Sequence, residues 1–496
     1  MAAESVAISD TTSSRRSRDA QPTDDNVLLR KTSTGARSAR YDLIVVGGGA
    51  GGIAAARAGA RRGLRTAIVQ DGRVGGDCTF TGCVPSKTLI EAASQGLSFA
   101  EAMSRMHVVV EQIASTESPD ALGREGVEVI EGRAGFVGTR TLAVGARTLQ
   151  ADRVVLATGS APAHPSIPGL AGLDYLTNEN IFELSTLPSS LAVLGGGAIG
   201  CELTQVFARF GCTVHVVEAA ERLLAREEPE ASAAVARALR SEGVTLRLGT
   251  NVTAVERTSD QKSMRLRLGD DAIEMEQLLV AVGRRPVTEG LDPDAGGVEL
   301  DDHGFIRTDR HLRTTAAGVY AVGDVTGRMP FTHAADEMGR IAVRNATRRL
   351  RRSGFAMTSI PWVTFTDPEV ARVGLSEEEA ASSGRALVAF LPMEEVDRAV
   401  LAGRTEGFVK LIVGPRRLVG SAGGGVVLGA TIVAPRAGEM IHEIALAMRT
   451  NAFAGRLAQT VHAYPTWSTA IRQAAAQLFF EVDGRAARRA GSPHPD

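Results

Sequence analysis

Two cysteines with four residues between them, Cys78 and Cys83, stand in the segment Gly75-Gly76-Asp77-Cys78-Thr79-Phe80-Thr81-Gly82-Cys83-Val84-Pro85-Ser86-Lys87. A disulfide closing so short a loop would stabilise by only about 2 kcal/mol in the chain-entropy view, so stability is a poor reason for the pair. Electron relay is a better one. A thiolate at a helix start gains from the helix dipole and from a nearby cation such as Lys87, which lowers its pKa. The competing reading is two unrelated buried cysteines. With Cys201 and Cys212 the chain has four cysteines in 496 residues, too few for a structural disulfide framework.

Two glycine loops carry the second kind of chemistry. Gly47-Gly48-Gly49-Ala50-Gly51-Gly52 follows the apolar run Leu43 to Val46, and Gly195-Gly196-Gly197-Ala198-Ile199-Gly200 follows Leu191 to Leu194. Gly47 and Gly195 suit a tight turn, Gly49 and Gly197 let backbone approach a pyrophosphate, and Gly52 and Gly200 allow close helix packing. Glycines serving packing alone are the alternative, which the repetition of the whole pattern argues against. At the same distance past each first glycine comes a polar residue, Gln70 in one unit and Glu218 in the other. A carboxylate there hydrogen-bonds an adenine ribose, and the following Ala219 and Ala220 offer no cation to a 2′-phosphate. NADH is therefore expected over NADPH in the second unit, with Arg222 keeping NADPH open. Gln70 can bond a ribose hydroxyl through its amide.

The elements that must position these residues follow from the apolar pattern. Leu43 to Val46 reads as a strand buried on both faces, then an Ala-rich helix to about Arg62, then a strand at Thr66 to Val69. The same strand, loop, helix and strand return at Leu191 to Val217. Further strand-like runs end in glycine at Val154 to Gly159 and Leu278 to Gly283, and another closes at Asp324. From about Ile360 the texture changes to polar-alternating segments, a glycine-rich strand region at Gly420 to Val433 and two helices, which fits an α+β interaction domain. Residues 1–40 contain twelve Ser or Thr, seven Lys or Arg and five Asp or Glu, and read as a disordered tail. A transit peptide is the alternative, to which Glu4, Asp10 and Asp19 are ill suited. The 55 basic and 57 acidic residues leave a net charge of −2, which argues against nucleic acid as partner. No apolar run approaches the roughly 18 residues that span a bilayer, and a cytoplasmic protein is expected.

These motifs resemble the FAD-dependent pyridine nucleotide–disulfide oxidoreductases, the family of glutathione reductase, dihydrolipoyl dehydrogenase and mercuric reductase. The resemblance covers about residues 41–482 and rests on GGGAGG, GGDCTFTGCVPSK, VVLATG, GGGAIGCE, LLVAVGRRP, VYAVGD, FTDPEVARVGL and HAYPT in that order. It implies an α/β chain with two Rossmann-like domains and an α+β dimerisation domain. The expected layout is a tail at 1–40, an FAD domain at 41–187, an NAD(P) domain at 188–304 and a return to the FAD domain at 305–355. An interface domain follows at 356–485, with a tail at 486–496. The resemblance assigns Gly47, Gly49, Gly51, Gly52, Gln70, Gly76, Thr158, Gly159 and Asp324 to FAD, with Asp324 on the ribityl chain. Gly195, Gly197, Gly200, Glu218 and Gly283 fall to NAD. Cys83 becomes the flavin-side thiol and Cys78 the outer thiol of a redox disulfide, with Lys87 by the flavin and paired with Glu202. A homodimer is implied, its last domain completing the partner's site.

The chain departs from the disulfide reductases where they place a His before Pro-Thr and a Glu five positions after that His. Here those positions are Tyr464 and Thr469. A phenol of pKa about 10 is a poor base at neutral pH, and Thr cannot orient it by charge. His462 is the nearest substitute, although an isolated His is more often a satisfied core or surface group. Mercuric reductases resemble this chain in having Tyr there, yet they usually carry a C-terminal cysteine pair, and no cysteine follows Cys212. The expectation is an enzyme that passes electrons from NAD(P)H through flavin and the Cys78–Cys83 pair to a metal ion or quinone. Dihydrolipoyl dehydrogenase is the enzyme alternative, and a non-enzymatic NADH-sensing flavoprotein is the alternative of another class.

Overall fold

The computed structural model describes residues 38–259, 261–348, 352–416 and 420–492, so the expected tail at 1–37 lies outside them. The first unit is built on strand Ser38–Val46, with Leu43, Ile44 and Val45 fully buried. It pairs in parallel with Thr66–Gln70 on one side and Arg147–Leu156 on the other. Val127–Glu131 and Val319–Ala321 extend this parallel sheet at its two sides. The first half of Arg147–Leu156 instead forms an antiparallel meander with Thr141–Val144 and Ala134–Gly138. The tail expectation fails for residues 38–40. Their backbone pairs with Thr148 to Gln150, continuing the buried strand before its apolar run begins.

The second unit repeats the plan in a four-stranded parallel sheet of Thr245–Arg247, Thr213–Val217, Ser190–Leu194 and Gln277–Val280. Helix Ala198–Arg209 follows its glycine loop as helix Ala50–Ala60 follows the first. A separate antiparallel sheet of Ala254–Arg257, Met264–Leu268 and Asp271–Met275 covers one side. The chain crosses between the units twice, and the crossings pair antiparallel as Ser160–Pro162 and Arg284–Pro286.

Those crossings shift the expected boundaries at 187/188 and 304/305. Leu170 already belongs to the core of the second unit, and Leu176 bridges to Leu279. Leu291 and Val298 already pack with Tyr41, Ile44 and Phe136 of the first. Burial of these isolated apolar side chains decides their side, and they lie in loops where no periodicity announces it.

The third unit is a six-stranded sheet in the order Pro361–Thr364, Glu369–Gly374, Val426–Ala434, Phe408–Gly414, Leu387–Pro392 and Arg488–Arg489, backed by helices Ala437–Arg449 and Thr469–Ala476. Every residue of Phe408–Gly414 is buried. Apolar packing joins all three units, since one cluster contains Leu89, Leu191, Phe207, Val370, Phe408 and Val433.

Within that buried strand Lys410 is 1% exposed and its Nζ meets Glu228 at 3.1 Å, Glu230 at 2.7 Å and Glu377 at 3.0 Å. Arg488 pairs with Glu377 as well, Nη2 to Oε2 at 2.9 Å. The tail expected at 486–496 is thus corrected for 486–492, which include an edge strand and a cation of this network. The half-buried Glu377 carboxylate pairs with this basic segment, a contact with no local sequence signal. Lys410→Met should lower the melting temperature by the equivalent of about 3–5 kcal/mol, because removing one partner leaves the other charges buried. Burial alone would push the Glu377 carboxyl up, but its bonds to Arg488 and Lys410 outweigh this and hold it down at about 2. Its stabilisation is complete above the ordinary value of 4.5 and is lost as pH falls toward about 2, a window that thermal melts across pH will show.

Candidate active site

Both glycine loops are shaped by close backbone approach. Gly47 has φ +105°, and a Cβ there would lie 2.2 Å from the Ala157 carbonyl oxygen, while one on Gly52 would lie 1.9 Å from the Gly47 oxygen. Gly195 and Gly200 repeat the arrangement against Ala281 and Gly195. A Cβ on Gly197, in contrast, would meet nothing, and one on Gly49 only Gly76 Cα at 3.9 Å; both glycines begin helices without a side-chain cap, which leaves first-turn N–H groups for an anion. The polar residues at the second-strand ends brace the loops. Gln70 Oε1 accepts the Gly48 N–H at 2.5 Å, and Glu218 Oε2 accepts the Gly196 N–H at 2.5 Å.

One cavity of about 2480 Å³ runs past both loops. It is lined by Gly51, Gln70, Gly76, Thr158, Gly159 and Asp324 on the first unit and by Glu218 and Gly283 on the second, together with both thiols, Lys87 and Glu202. Gly52 and Gly200 pack behind the loops instead. Thr158 Oγ1 is buried without a hydrogen-bond partner, as expected of a group that meets a polar ligand. Ser160 donates to Asp324 at 2.6 Å, and burial pushes the Asp324 carboxyl up. Open glycines, an orphaned hydroxyl and a buried carboxylate fit a flavin dinucleotide in the first unit and a nicotinamide dinucleotide in the second.

Helix Cys83–Ser94 begins at the inner thiol, and Lys87 follows one turn later on the same face. Lys87 Nζ lies 2.7 Å from Glu202 Oε2, and Glu202, only 5% exposed, accepts the Phe365 N–H on its other oxygen at 2.8 Å. Cys78 and Cys83 both line the cavity and are close enough for each to shift the other's ionisation. The bond from Cys78, aided by Lys87 and Thr332 and opposed by burial, brings Cys83 down to about 6. The same bond and burial push Cys78 up. The two shifts run in opposite directions and favour ionisation at Cys83 over Cys78.

Several residues here escaped the sequence reading. Arg284 donates to Ser160 Oγ at 2.7 Å and pairs with Asp77 Oδ2 at 2.7 Å, linking the exit of the second unit to the residue before Cys78. Asn178 bonds Asp77 at 3.0 Å. Arg284, Asp77 and Phe365 lie inside the recognised motifs, so their positions were the available signal. Thr332 comes from a distant segment and had none.

Tyr464 and His462 do not line this cavity in their own chain. Tyr464 is 72% exposed, and its phenol bonds Asp397, which pushes it above its usual value. Thr469 lies beside Thr466 at 3.3 Å. His462 has both ring nitrogens engaged, with Glu443 Oε2 at 2.9 Å and the Thr460 carbonyl at 3.0 Å. Among the described residues no cluster of three or more His, Cys, Asp or Glu could hold a metal ion.

A family model described as pyridine nucleotide-disulphide oxidoreductase matches residues 41–339, and the dimerisation domain of the same family matches 360–475. The chain belongs to this family. Its members are NAD(P)H-dependent, FAD-containing oxidoreductases. The chain is 33% identical to a mercuric reductase of Bacillus cereus over 89% of its length and 72% of that protein's. It is 35% identical to one of Streptomyces lividans, over 89% and 97%. A dihydrolipoyl dehydrogenase of Thermus scotoductus is 34% identical over 88% and 97%. Among solved structures, the Cu(II) complex of the HOCl-induced flavoprotein disulfide reductase RclA of Escherichia coli superposes with a TM-score of 0.81 at 28% identity, over 88% of this chain and 99% of that one. LpdA of Mycobacterium tuberculosis gives 0.79 at 29%, over 89% and 100%.

The thiol asymmetry predicts distinct spectra for the two single mutants. Cys78→Ser leaves Cys83 without its thiol partner, so a long-wavelength charge-transfer band should appear without reductant and fade as pH falls and the thiolate is protonated. Cys83→Ser should show no band at any pH. Absorbance titration of both purified proteins checks this, and matching spectra would refute the assignment.

Proposed function

We propose that this enzyme carries electrons from NADH through FAD and the Cys78–Cys83 pair to a metal ion or a quinone. The observation that supports it is a complete thiol pair, with Lys87 and Glu202 in place, in a chain whose expected base is an exposed Tyr464 bonded to Asp397. The relatives named mercuric reductase and the Cu(II) complex of RclA support a metal-ion acceptor.

Held along the first glycine loop by Thr158 and Asp324, FAD would supply two-electron chemistry between a nicotinamide and the disulfide. The chain does the rest. Cys78 and Cys83 become a dithiol by taking up two electrons and two protons, and return to the disulfide by giving the electrons to the acceptor and releasing the protons. A quinone takes two electrons and two protons to become a hydroquinone, whereas two Cu(II) ions take one electron each and the protons pass to water. Neither acceptor needs the positioned His that protonates a leaving thiol. Glu218 selects NADH, because its carboxylate repels a 2′-phosphate and Arg222 is held by the carbonyls of Glu227 and Ala225. A homodimer is supported by Val461, 93% exposed, and by Phe479 and Phe480 on the dimerisation domain. No helix among the described residues is long and apolar enough to cross a membrane, and a reducing cytoplasm suits a pair that must cycle.

A second reading has one observation in its favour. The His462–Glu443 pair is a base with an orienting carboxylate, as a dihydrolipoyl dehydrogenase requires. Anaerobic reduction followed by a panel of lipoamide, glutathione disulfide, Hg(II), Cu(II) and quinones separates the readings. We expect poor lipoamide turnover, and Tyr464→His with Thr469→Glu should raise it, since a positioned base contributes about 10²–10⁴-fold. Fast native lipoamide turnover would promote the second reading, and flavin reduction without turnover on any acceptor would promote the NADH-sensing one. A kcat/KM higher with NADPH than with NADH would overturn the nucleotide assignment.

A further inference from the structure

We infer that Thr332 is a positioning residue of the redox centre, its hydroxyl holding the Cys83 sulfur as a thiolate by donating a hydrogen bond to it. The contact is direct: Thr332 Oγ1 lies 3.5 Å from Cys83 Sγ, across 249 positions of sequence. Thr332 opens the sixteen-residue helix Thr332–Thr347, in the segment that returns to the first unit after the second is complete.

The other groups around Cys83 leave a role for a neutral donor. Lys87 is the nearby cation, but its Nζ is tied to Glu202 at 2.7 Å, and that carboxylate opposes thiolate formation. Ser86 turns its hydroxyl to the Gly82 carbonyl at 2.7 Å. Asp77 is matched by Arg284. Thr332 Oγ1 is within reach to donate to the Cys83 sulfur, and a bond in that direction favours the charged form. Hydrogen bonds to a charged acceptor are about twice as strong as neutral ones. The inference goes beyond the acceptor: it needs only the thiol and stands whichever molecule takes the electrons.

The test uses Cys78→Ser holoenzyme, in which Cys83 is the one thiol of the pair. Two readouts are taken against pH: the charge-transfer absorbance, and the iodoacetamide alkylation rate of Cys83 followed by mass spectrometry. Adding Thr332→Val or Thr332→Ala should raise the apparent pKa in the alkylation profile by about one unit, a tenfold loss of thiolate at acidic pH. Adding Thr332→Ser should restore the parent profile, because serine keeps the donor. Unmoved profiles in the valine and alanine proteins, or a serine protein that behaves as they do, would overturn the inference. A band missing from the parent with an intact alkylation profile would count against the flavin assignment and leave Thr332 to be judged by alkylation alone.

Discussion

A single buried carboxylate, Glu202, is the point on which the three units of this chain converge. At 5% exposure it must be matched, because an unpaired charge in such a place is far costlier than any one packing contact. One oxygen takes Lys87, from the redox helix of the first unit, and the other takes the Phe365 N–H, from the third. Glu202 itself sits on the first helix of the second unit, two residues past the last loop glycine. Its satisfaction therefore fixes how the thiol-bearing helix, the second glycine loop and the third unit meet. The position of Lys87, and with it the field at Cys83, is a consequence.

The repeated loop explains why two dinucleotides can meet in one cavity. Each loop ends a central parallel strand and begins a helix, so each presents free N–H groups at the same edge of its sheet. The paired crossings Ser160–Pro162 and Arg284–Pro286 hold those edges toward each other, and Arg284 reinforces the junction by gripping Ser160 and Asp77. The residue that leaves the second unit thus also braces the residue before the outer thiol. The repeat is not perfect: Gln70 braces its loop through an amide and Glu218 through a carboxylate, the same hydrogen bond with a different charge.

The thiols are chemically unequal although their surroundings are shared. Their mutual interaction favours ionisation at Cys83 and disfavours it at Cys78, and Lys87 acts in the same sense on Cys83. That polarity suits a pair that receives electrons at one sulfur and delivers them from the other. The remaining unit contributes no group to this cavity from the loop around Tyr464. His462 instead pins that loop to Glu443 and Thr460 within its own chain, the satisfied role that an isolated histidine most often has.

What the sequence determined by itself were features whose signals are local. The strand, glycine loop and helix order of both units, the Cys78 and Cys83 spacing with Lys87 one turn on, and Glu218 at its strand end each depend on neighbours a few residues away. The same holds for the departure at Tyr464. Only the tertiary structure decided the rest. It placed 38–40 and 488–489 in sheets, moved the boundaries near 187 and 304, engaged His462 with Glu443, and set Arg284 against Asp77 and Thr332 against Cys83. These contacts join segments far apart in the chain and are selected by the need to bury apolar surface and match buried charge. Such a requirement belongs to the packed whole, and no short stretch of residues can express it.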